Sequence, residues 1–461
     1  MTEGTMLPLA TLSPENSRSL PEVHGSVRVP KGGSWFRKFL SISGPAYLVS
    51  VGYMDPGNWA TDLAGGSKYG YQLLWVVLLS NLMAIFLQNL CARMGVVARM
   101  DLAQACRDYY PRPAAILLWL LCEVAIVACD LAEVIGSAIG LNLLFGIPLV
   151  MGVLLTGADV LLLLGLMQWG FRKLEALVIT LVLTIGACFA IQIFQAQPDW
   201  VAVTTGLLQP KLPDLEALTI SLGILGATVM PHNLYLHSAL VQTRDTHDVP
   251  TSLRANKWDT VIALGGAFFV NAGILILAAA VFHPKGVVVD ELQNAYELLT
   301  PMLGGTAATL FAVALLCSGQ SSTITGTLAG QIVMEGFLHI KIRPWVRRLV
   351  TRLLAIGPAL WAITATGGAH TVKMLVVSQV VLSMQLPFAI FPLVQFTSDP
   401  KRMGPYANSV ATRSLAYLIG TVISVLNFYL LYTQLGNWGL LLAALAVAFW
   451  VYLWKNSRSD S

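Results

Sequence analysis

Residues 53–58 read Tyr53-Met54-Asp55-Pro56-Gly57-Asn58, and residues 230–233 read Met230-Pro231-His232-Asn233. Each string interrupts an apolar run otherwise long enough to cross a bilayer, and each contains X-Pro-X-Asn. Proline lacks an amide hydrogen and its ring clashes with the preceding turn, so breaks are expected at Pro56-Gly57 and at Pro231. Backbone groups freed by a break find no water inside lipid, and must line a cavity bounded by protein. Five spans separate the starts of the two interrupted ones. An odd-numbered unit inserts its second copy upside down, so matched breaks predict inverted repeats with a substrate site between them.

The chain around these strings is built for a membrane. Of its 461 residues 56% are hydrophobic and 11% charged, against about a quarter charged in soluble proteins. Twelve spans are expected, at 39–69, 73–98, 114–144, 147–167, 174–195, 215–243, 260–282, 302–338, 346–365, 372–396, 415–435 and 438–454. The last is near the short limit for a bilayer. They form one transmembrane domain, 38–455, with repeats at about 38–197 and 213–398 and extra helices at about 410–455. Residues 1–37, rich in Ser, Pro, Glu and Gly, read as a disordered tail, and 456–461 as a short second one. No charged-then-apolar signal peptide is evident, so the first span is expected to direct insertion.

The basic residues test this map. With the amino terminus placed in the cytoplasm, 24 of the 28 Lys and Arg fall on the inner side, leaving Lys68, Lys211, Lys285 and Lys373 outside. Such a bias orients both termini inward and supports an even number of spans. The six cysteines show no CxxC spacing, which argues against a thiolate cluster or a disulfide framework.

The breaks carry unusual chemistry. A carboxylate inside an apolar helix costs a few kcal/mol unless it has a partner, roughly as translocon scales have it. Asp55 is also suited to capping the second half-helix. Asn58 lies three residues on, facing the same way. Oxygens from Asp55 and Asn58, with freed carbonyls near Gly52 and Ala227, suit a divalent cation. Met230 adds a thioether, which softer transition ions accept and Mg²⁺ or Ca²⁺ do not.

The two strings resemble the signatures of the natural resistance-associated macrophage protein (NRAMP) family. The first continues into Gly65-Gly66 and Tyr69-Gly70-Tyr71; the second extends over Gly226-Ala227-Thr228-Val229-Met230-Pro231-His232-Asn233-Leu234-Tyr235-Leu236-His237-Ser238. The likeness runs from the first to the eleventh span. It implies an all-α polytopic membrane protein with the LeuT-type 5+5 inverted repeat, helices 1 and 6 broken. It also implies proton-coupled import of Mn²⁺, Fe²⁺ and similar ions (Co²⁺, Cd²⁺, Zn²⁺) as transported substrates, with no resident cofactor. By this resemblance the metal is held by Asp55, Asn58, Met230 and the Ala227 carbonyl, with the Gly52 carbonyl and Gln379 as further contacts. Magnesium-transporting relatives lack the methionine. Trp59 departs mildly from the family pattern, where many members carry Phe.

A second constellation lies in the third span. Glu123, Asp130 and Glu133 are seven and three residues apart and share one helix face. Intramembrane acids in a row mark proton routes; structural pairing with Arg352 is the alternative reading. The resemblance favours the route and places Asp130, Glu133 and Arg352 on it, beside Asp55. His232 and His237, after the second break, suit proton handling or gating, since histidine titrates near neutrality. His-Asn-Leu-Tyr-Leu-His lacks the HExxH pattern of zinc hydrolases. Asp62, Asp159 and Glu175 are also embedded or nearly so, without a specific role.

A related-fold transporter of another cation or an organic solute is the principal alternative, but an acid and a thioether at the breaks favour a metal cation. A channel is disfavoured by the paired breaks. No nucleophile–base pair supports an enzyme, and no GxxxxGK[ST] loop supports a nucleotide. Nucleic acid is likewise not an expected partner. The expected setting is a bacterial inner membrane and the expected state a monomer.

Overall fold

The computed structural model describes residues 19, 24–30, 32, 34–158, 171–245, 248–289, 291–340, 342–366 and 371–457. In chain order its helices are α1 (Trp35–Ile42), α2 (Pro45–Gly52), α3 (Pro56–Tyr69), α4 (Leu74–Val97), α5 (Leu102–Tyr109), α6 (Arg112–Phe145) and α7 (Leu149–Thr156). There follow α8 (Phe171–Ala196), α9 (Trp200–Leu208), α10 (Leu215–Val229), α11 (Pro231–Leu240), α12 (Val249–Val281) and α13 (Leu292–Leu303). The last are α14 (Gly305–Leu338), α15 (Pro344–Thr366), α16 (Thr371–Thr397), α17 (Pro400–Met403), α18 (Val410–Leu435) and α19 (Asn437–Lys455). Among the described residues ten helical stretches are long and apolar enough to cross a membrane. They match expected spans 2, 3 and 5 to 12. The first span is split between α2 and α3, and the fourth, with Asp159, falls partly outside the described residues.

Both breaks lie where the prolines put them. The helix ends at Gly52 and restarts at Pro56, and again ends at Val229 and restarts at Pro231. The halves cross-pack: α10 lies on α3, and α11 on α2. Around this centre α6 packs on α14, α16 on α10, and α12 on α3 and α4. The site is thus enclosed by elements from both halves of the chain.

Three differences from expectation have local causes. The amino-terminal segment was expected to be disordered to residue 37. Instead Val27–Arg28 forms β1, pairing in parallel with β2 (Arg244–Asp245), and α1 starts at Trp35 behind the Ser34 cap. Short helices α5 and α9 occupy loops because Asp101 and Asp199 cap them, the first in a capping box with Gln104. Span 7 begins earlier than its apolar run, at Val249, because Asp248 caps it before the hydrophobic stretch starts. The final helix, 19 residues long, extends for about 28 Å, enough to cross the hydrocarbon core.

Candidate metal site between the two helix breaks

Pro56 has no amide to give the Gly52 carbonyl four residues earlier, and Pro231 has none for Ala227. These two carbonyls are the ones each break releases. The Gly52 oxygen is partly reclaimed by the Asp55 amide at 3.2 Å. The Ala227 oxygen instead accepts the side-chain nitrogen of Asn58 at 3.0 Å, linking one break to the other. The Tyr53 and Met54 carbonyls of the first break are covered by side chains, two of them from distant helices. Asn271 of α12 donates to Tyr53 at 2.7 Å, Ser318 of α14 to Met54 at 2.5 Å, and Trp59 to Met54 at 3.2 Å.

Asp55 does cap α3, accepting from the Asn58 amide at 2.8 Å, and the same Oδ1 accepts from Asn58 Nδ2 at 2.8 Å. One nitrogen therefore sits between a carboxylate oxygen and a carbonyl oxygen. Turning that amide over presents Asn58 Oδ1 in its place, leaving three oxygens directed at one point. Here Oδ1 faces Asn271 Nδ2 at 3.2 Å. Met230 holds φ 35°, a backbone conformation sparsely populated for any side chain other than glycine's, and such strain collects at functional sites. Gly52 lets the breaks approach: a Cβ there would stand 3.2 Å from the Met230 sulfur and 2.5 Å from Asn233 Nδ2. At Gly57 a Cβ would collide with the Gln379 side chain, so Gln379 lies across the first turn of α3. Its Nε2 donates to Ser378 at 3.1 Å, while Oε1 has no hydrogen-bond partner among the described residues.

Asp55, Asn58, Ala227 and Met230 are buried, so the centre is closed to both faces. Among the described residues no three His, Cys, Asp or Glu side chains form a metal-binding cluster. The donors here are one carboxylate, amides, carbonyls and a thioether.

Beyond Asp55 runs a column of acids on α6, each matched by an arginine of α15. Arg348 binds Asp130 through Nη1 and Glu133 through Nη2, the latter at 2.8 Å. Arg347 holds Glu123 at 2.9 Å. Arg352, the arginine singled out in the sequence, also reaches this column: it lies 3.5 Å from Glu133 and donates to Thr323 at 2.8 Å. Arg348, one turn earlier on α15, adds the closer contacts to the same acids and was not foreseen. Thr323 also donates to Glu133 at 3.1 Å. The Cys129 thiol stands 3.9 Å from Asp55 Oδ2 and 4.0 Å from Glu133 Oε1, joining the column to the breaks.

The histidines divide. His237 Nδ1 meets Gln88 Oε1 at 3.0 Å, and Gln88 Nε2 donates to the Tyr53 hydroxyl at 2.7 Å. His232 is buried on α11, and its Nδ1 has no partner among the described residues. Glu175, unexplained by the sequence, binds Arg244 at 2.7 Å. Arg244 also donates to the carbonyls of Ile42 and Ser43 at 2.9 and 2.7 Å, while Asp259 accepts from Gly44 and Ala46 amides. Together these groups link α1, the start of α2, α8, β2 and α12. Asp62 is buried, with neither oxygen hydrogen-bonded among the described residues. Asn271, Ser318, Cys129, Thr323, Arg347 and Arg348 escaped the sequence reading. A paired-arginine signal was present in Arg347-Arg348, one turn before Arg352.

The sequence matches the family described as "Natural resistance-associated macrophage protein-like" over residues 46–433. It is 56% identical over 433 residues to a divalent metal cation transporter MntH of Nostoc, covering 92% of this chain and 98% of that one. A protein of the same name from Mesorhizobium japonicum is 55% identical over 430 residues, covering 91% and 95%. The structure resembles the Eremococcus coleocola manganese transporter with a TM-score of 0.85 at 40% identity, over 95% of this chain and 97% of that one. It shares the fold of Mhp1, a nucleobase-cation-symport-1 family transporter, with a TM-score of 0.59 at 14% identity over 97% and 98% of the two chains. The chain is therefore a multi-pass membrane protein with the LeuT-type fold, a transporter rather than an enzyme, and it belongs to the natural resistance-associated macrophage protein family.

Proposed function

We propose that this protein is a secondary active importer of divalent transition metal ions, Mn²⁺ foremost, coupled to proton symport. Fe²⁺, Co²⁺, Cd²⁺ and Zn²⁺ fall within the same donor chemistry. The observation that carries the reading is the meeting of Asp55 Oδ1 and the Ala227 carbonyl on one Asn58 nitrogen, at 2.8 and 3.0 Å, with the Met230 thioether facing Gly52 where the two breaks approach. Oxygens supply charge and hard coordination; sulfur disfavours Ca²⁺ and Mg²⁺. The relatives, named as divalent metal cation transporters and a manganese transporter, agree with that donor set.

A metal entering as Asn58 turns over would be held by Asp55, Asn58, Ala227 and Met230, with Gln379 Oε1 and the Gly52 carbonyl within reach of small adjustments. Neutralising Asp55 with a metal releases any proton it carries. The nearest exit is through Cys129 toward Glu133, then along the acids facing Arg348 and Arg347. Alternating access follows from rocking the broken pair against the rest, with the Arg244–Glu175 and Gln88–His237 contacts parting on the release side. The protein would work as a monomer in a bacterial inner membrane, both termini cytoplasmic.

The test is Mn²⁺ uptake by the purified protein in proteoliposomes, with lumenal pH followed at the same time. Saturable uptake accompanied by lumenal acidification is expected. Uptake without pH change would remove the proton coupling, and no uptake of any of these metals would remove the function.

A further inference from the structure

Two cavities open between α16, α18 and α19, the second also reaching α6, and neither is lined by a residue of the helix breaks. One, of about 550 Å³, is lined by Tyr110, Phe391, Gln395, Arg413, Tyr417 and Trp454 among others. The second, of about 280 Å³, lies between Phe388, Gln385, Asn427 and Leu442. Trp450 borders both, so together they form one slot divided by its indole. The outer surface of α18 and α19 is apolar, with Val422, Leu441 and Leu445 exposed, as expected of helices turned to lipid.

Three polar groups punctuate these walls. Arg413 is exposed and has no ion-pair partner among the described residues, whereas nearby Arg402 is held by Asp399 at 3.3 Å and stacks on Tyr109 at 3.5 Å. Arg413 also occupies the first turn of α18, behind the Ser409 cap, where the helix end favours an anion. Gln395 accepts from the Tyr110 hydroxyl through Oε1 at 2.7 Å, which leaves its Nε2 to donate elsewhere. The Trp450 Nε1 is buried without a hydrogen-bond partner among the described residues. A cation at the mouth, donors just inside and an unsatisfied indole donor against apolar walls describe a headgroup, an ester region and acyl chains in that order. Tyr110, Gln395, Arg413 and Trp454 all lie at the ends read as cytoplasmic, where anionic lipids meet basic pockets between helices.

We propose that this slot binds one anionic phospholipid of the cytoplasmic leaflet, its phosphate on Arg413 and Gln395 and its chains along Trp450. The site is independent of the metal centre. It fixes α18 and α19 against α16, the helix that carries Gln379.

Native mass spectrometry of the purified protein, with equal added phosphatidylglycerol or phosphatidylcholine, tests the assignment. The parent should retain a single phosphatidylglycerol adduct in preference to phosphatidylcholine. Arg413→Gln should lower that preference about fivefold, the effect of one basic side chain at a membrane surface. Trp450→Phe should weaken retention of either lipid while leaving the preference intact. Thermal melting of each variant in detergent without lipid, expected at the parent's value, separates lost binding from lost folding. Equal retention of the two lipids by the parent would overturn the proposal, as would an unchanged preference in Arg413→Gln. A dimer without a lipid adduct, abolished by Val447→Trp, would assign the slot to a second copy of the chain instead.

Discussion

Arg348 of α15 reaches Glu133 of α6 at 2.8 Å, and both side chains are almost wholly buried. The same guanidinium also binds Asp130, so one cation compensates two carboxylates inside the membrane domain. Removing one partner from a buried ion pair costs about 3–5 kcal/mol, because the remaining charge stays desolvated. Arg348→Ala is therefore expected to lower thermal stability more than Arg352→Ala, whose guanidinium stands at the longer distance of 3.5 Å from Glu133. Arg348→Lys should lie between them, keeping the charge without the two-pronged geometry. Melting curves in detergent rank the three; equal losses for Arg348→Ala and Arg352→Ala would contradict the order.

Asp55 and Asn58 contribute unequally to the proposed metal site. Asp55→Ala removes the only carboxylate at the breaks and is expected to abolish both binding and uptake. Asn58→Ala removes a neutral ligand, for which a loss of about tenfold in Mn²⁺ affinity is expected, on the order of one hydrogen-bond-scale interaction. Isothermal titration with Mn²⁺ measures both. Unchanged affinity in Asp55→Ala would eliminate the site.

The breaks were legible because proline writes its effect on one identified neighbour: Pro56 points to Gly52 and Pro231 to Ala227. Donor chemistry could then be read from Asp55, Asn58 and Met230 alone. The covering residues could not. Asn271 and Ser318 are polar residues in apolar spans 213 positions or more from the groups they satisfy, and helical periodicity says nothing about which carbonyl they meet. The choice of Arg348 over Arg352 depended similarly on the height of α15 against α6, a register that neither helix specifies by itself.

Met230 should govern selectivity more than affinity. Its thioether faces Gly52 across the contact of the two breaks, and sulfur penalises hard ions. Met230→Ala is expected to keep Mn²⁺ transport while admitting Ca²⁺ as a competitor. Inhibition of labelled Mn²⁺ uptake by Ca²⁺ reports this directly. A variant that excludes Ca²⁺ as well as the parent would leave the sulfur without a selective role.

Arg244 holds Glu175 and the carbonyls of Ile42 and Ser43 at the end of the bundle read as cytoplasmic. Arg244→Ala unties α1 and α2 from α8 and should favour opening toward that side. A single cysteine introduced at Ala46 is expected to react faster with a membrane-impermeant maleimide in this variant than in the parent background. No gain in labelling would show that the arginine braces the fold without gating it.

Asp130 offers the cleanest separation of proton movement from metal binding. It is buried on α6, which carries neither break, and it pairs with Arg348 rather than with Asp55, Asn58, Ala227 or Met230. Asp130→Asn keeps the size of the side chain and removes the charge. Glu133 is then left without the acid that shares Arg348 with it, and the row of titratable carboxylates is interrupted between Glu123 and Glu133. A route that depends on Glu133 accepting and passing on a proton should run more slowly. Near-parent Mn²⁺ affinity is expected, with uptake-linked acidification reduced and the pH dependence of uptake shifted. The opposite pattern is equally readable. Mn²⁺ affinity lost as completely as in Asp55→Ala, with an unchanged proton-to-metal ratio in whatever transport remains, would make Asp130 a support of the binding site, and the acid column would no longer stand as a proton route.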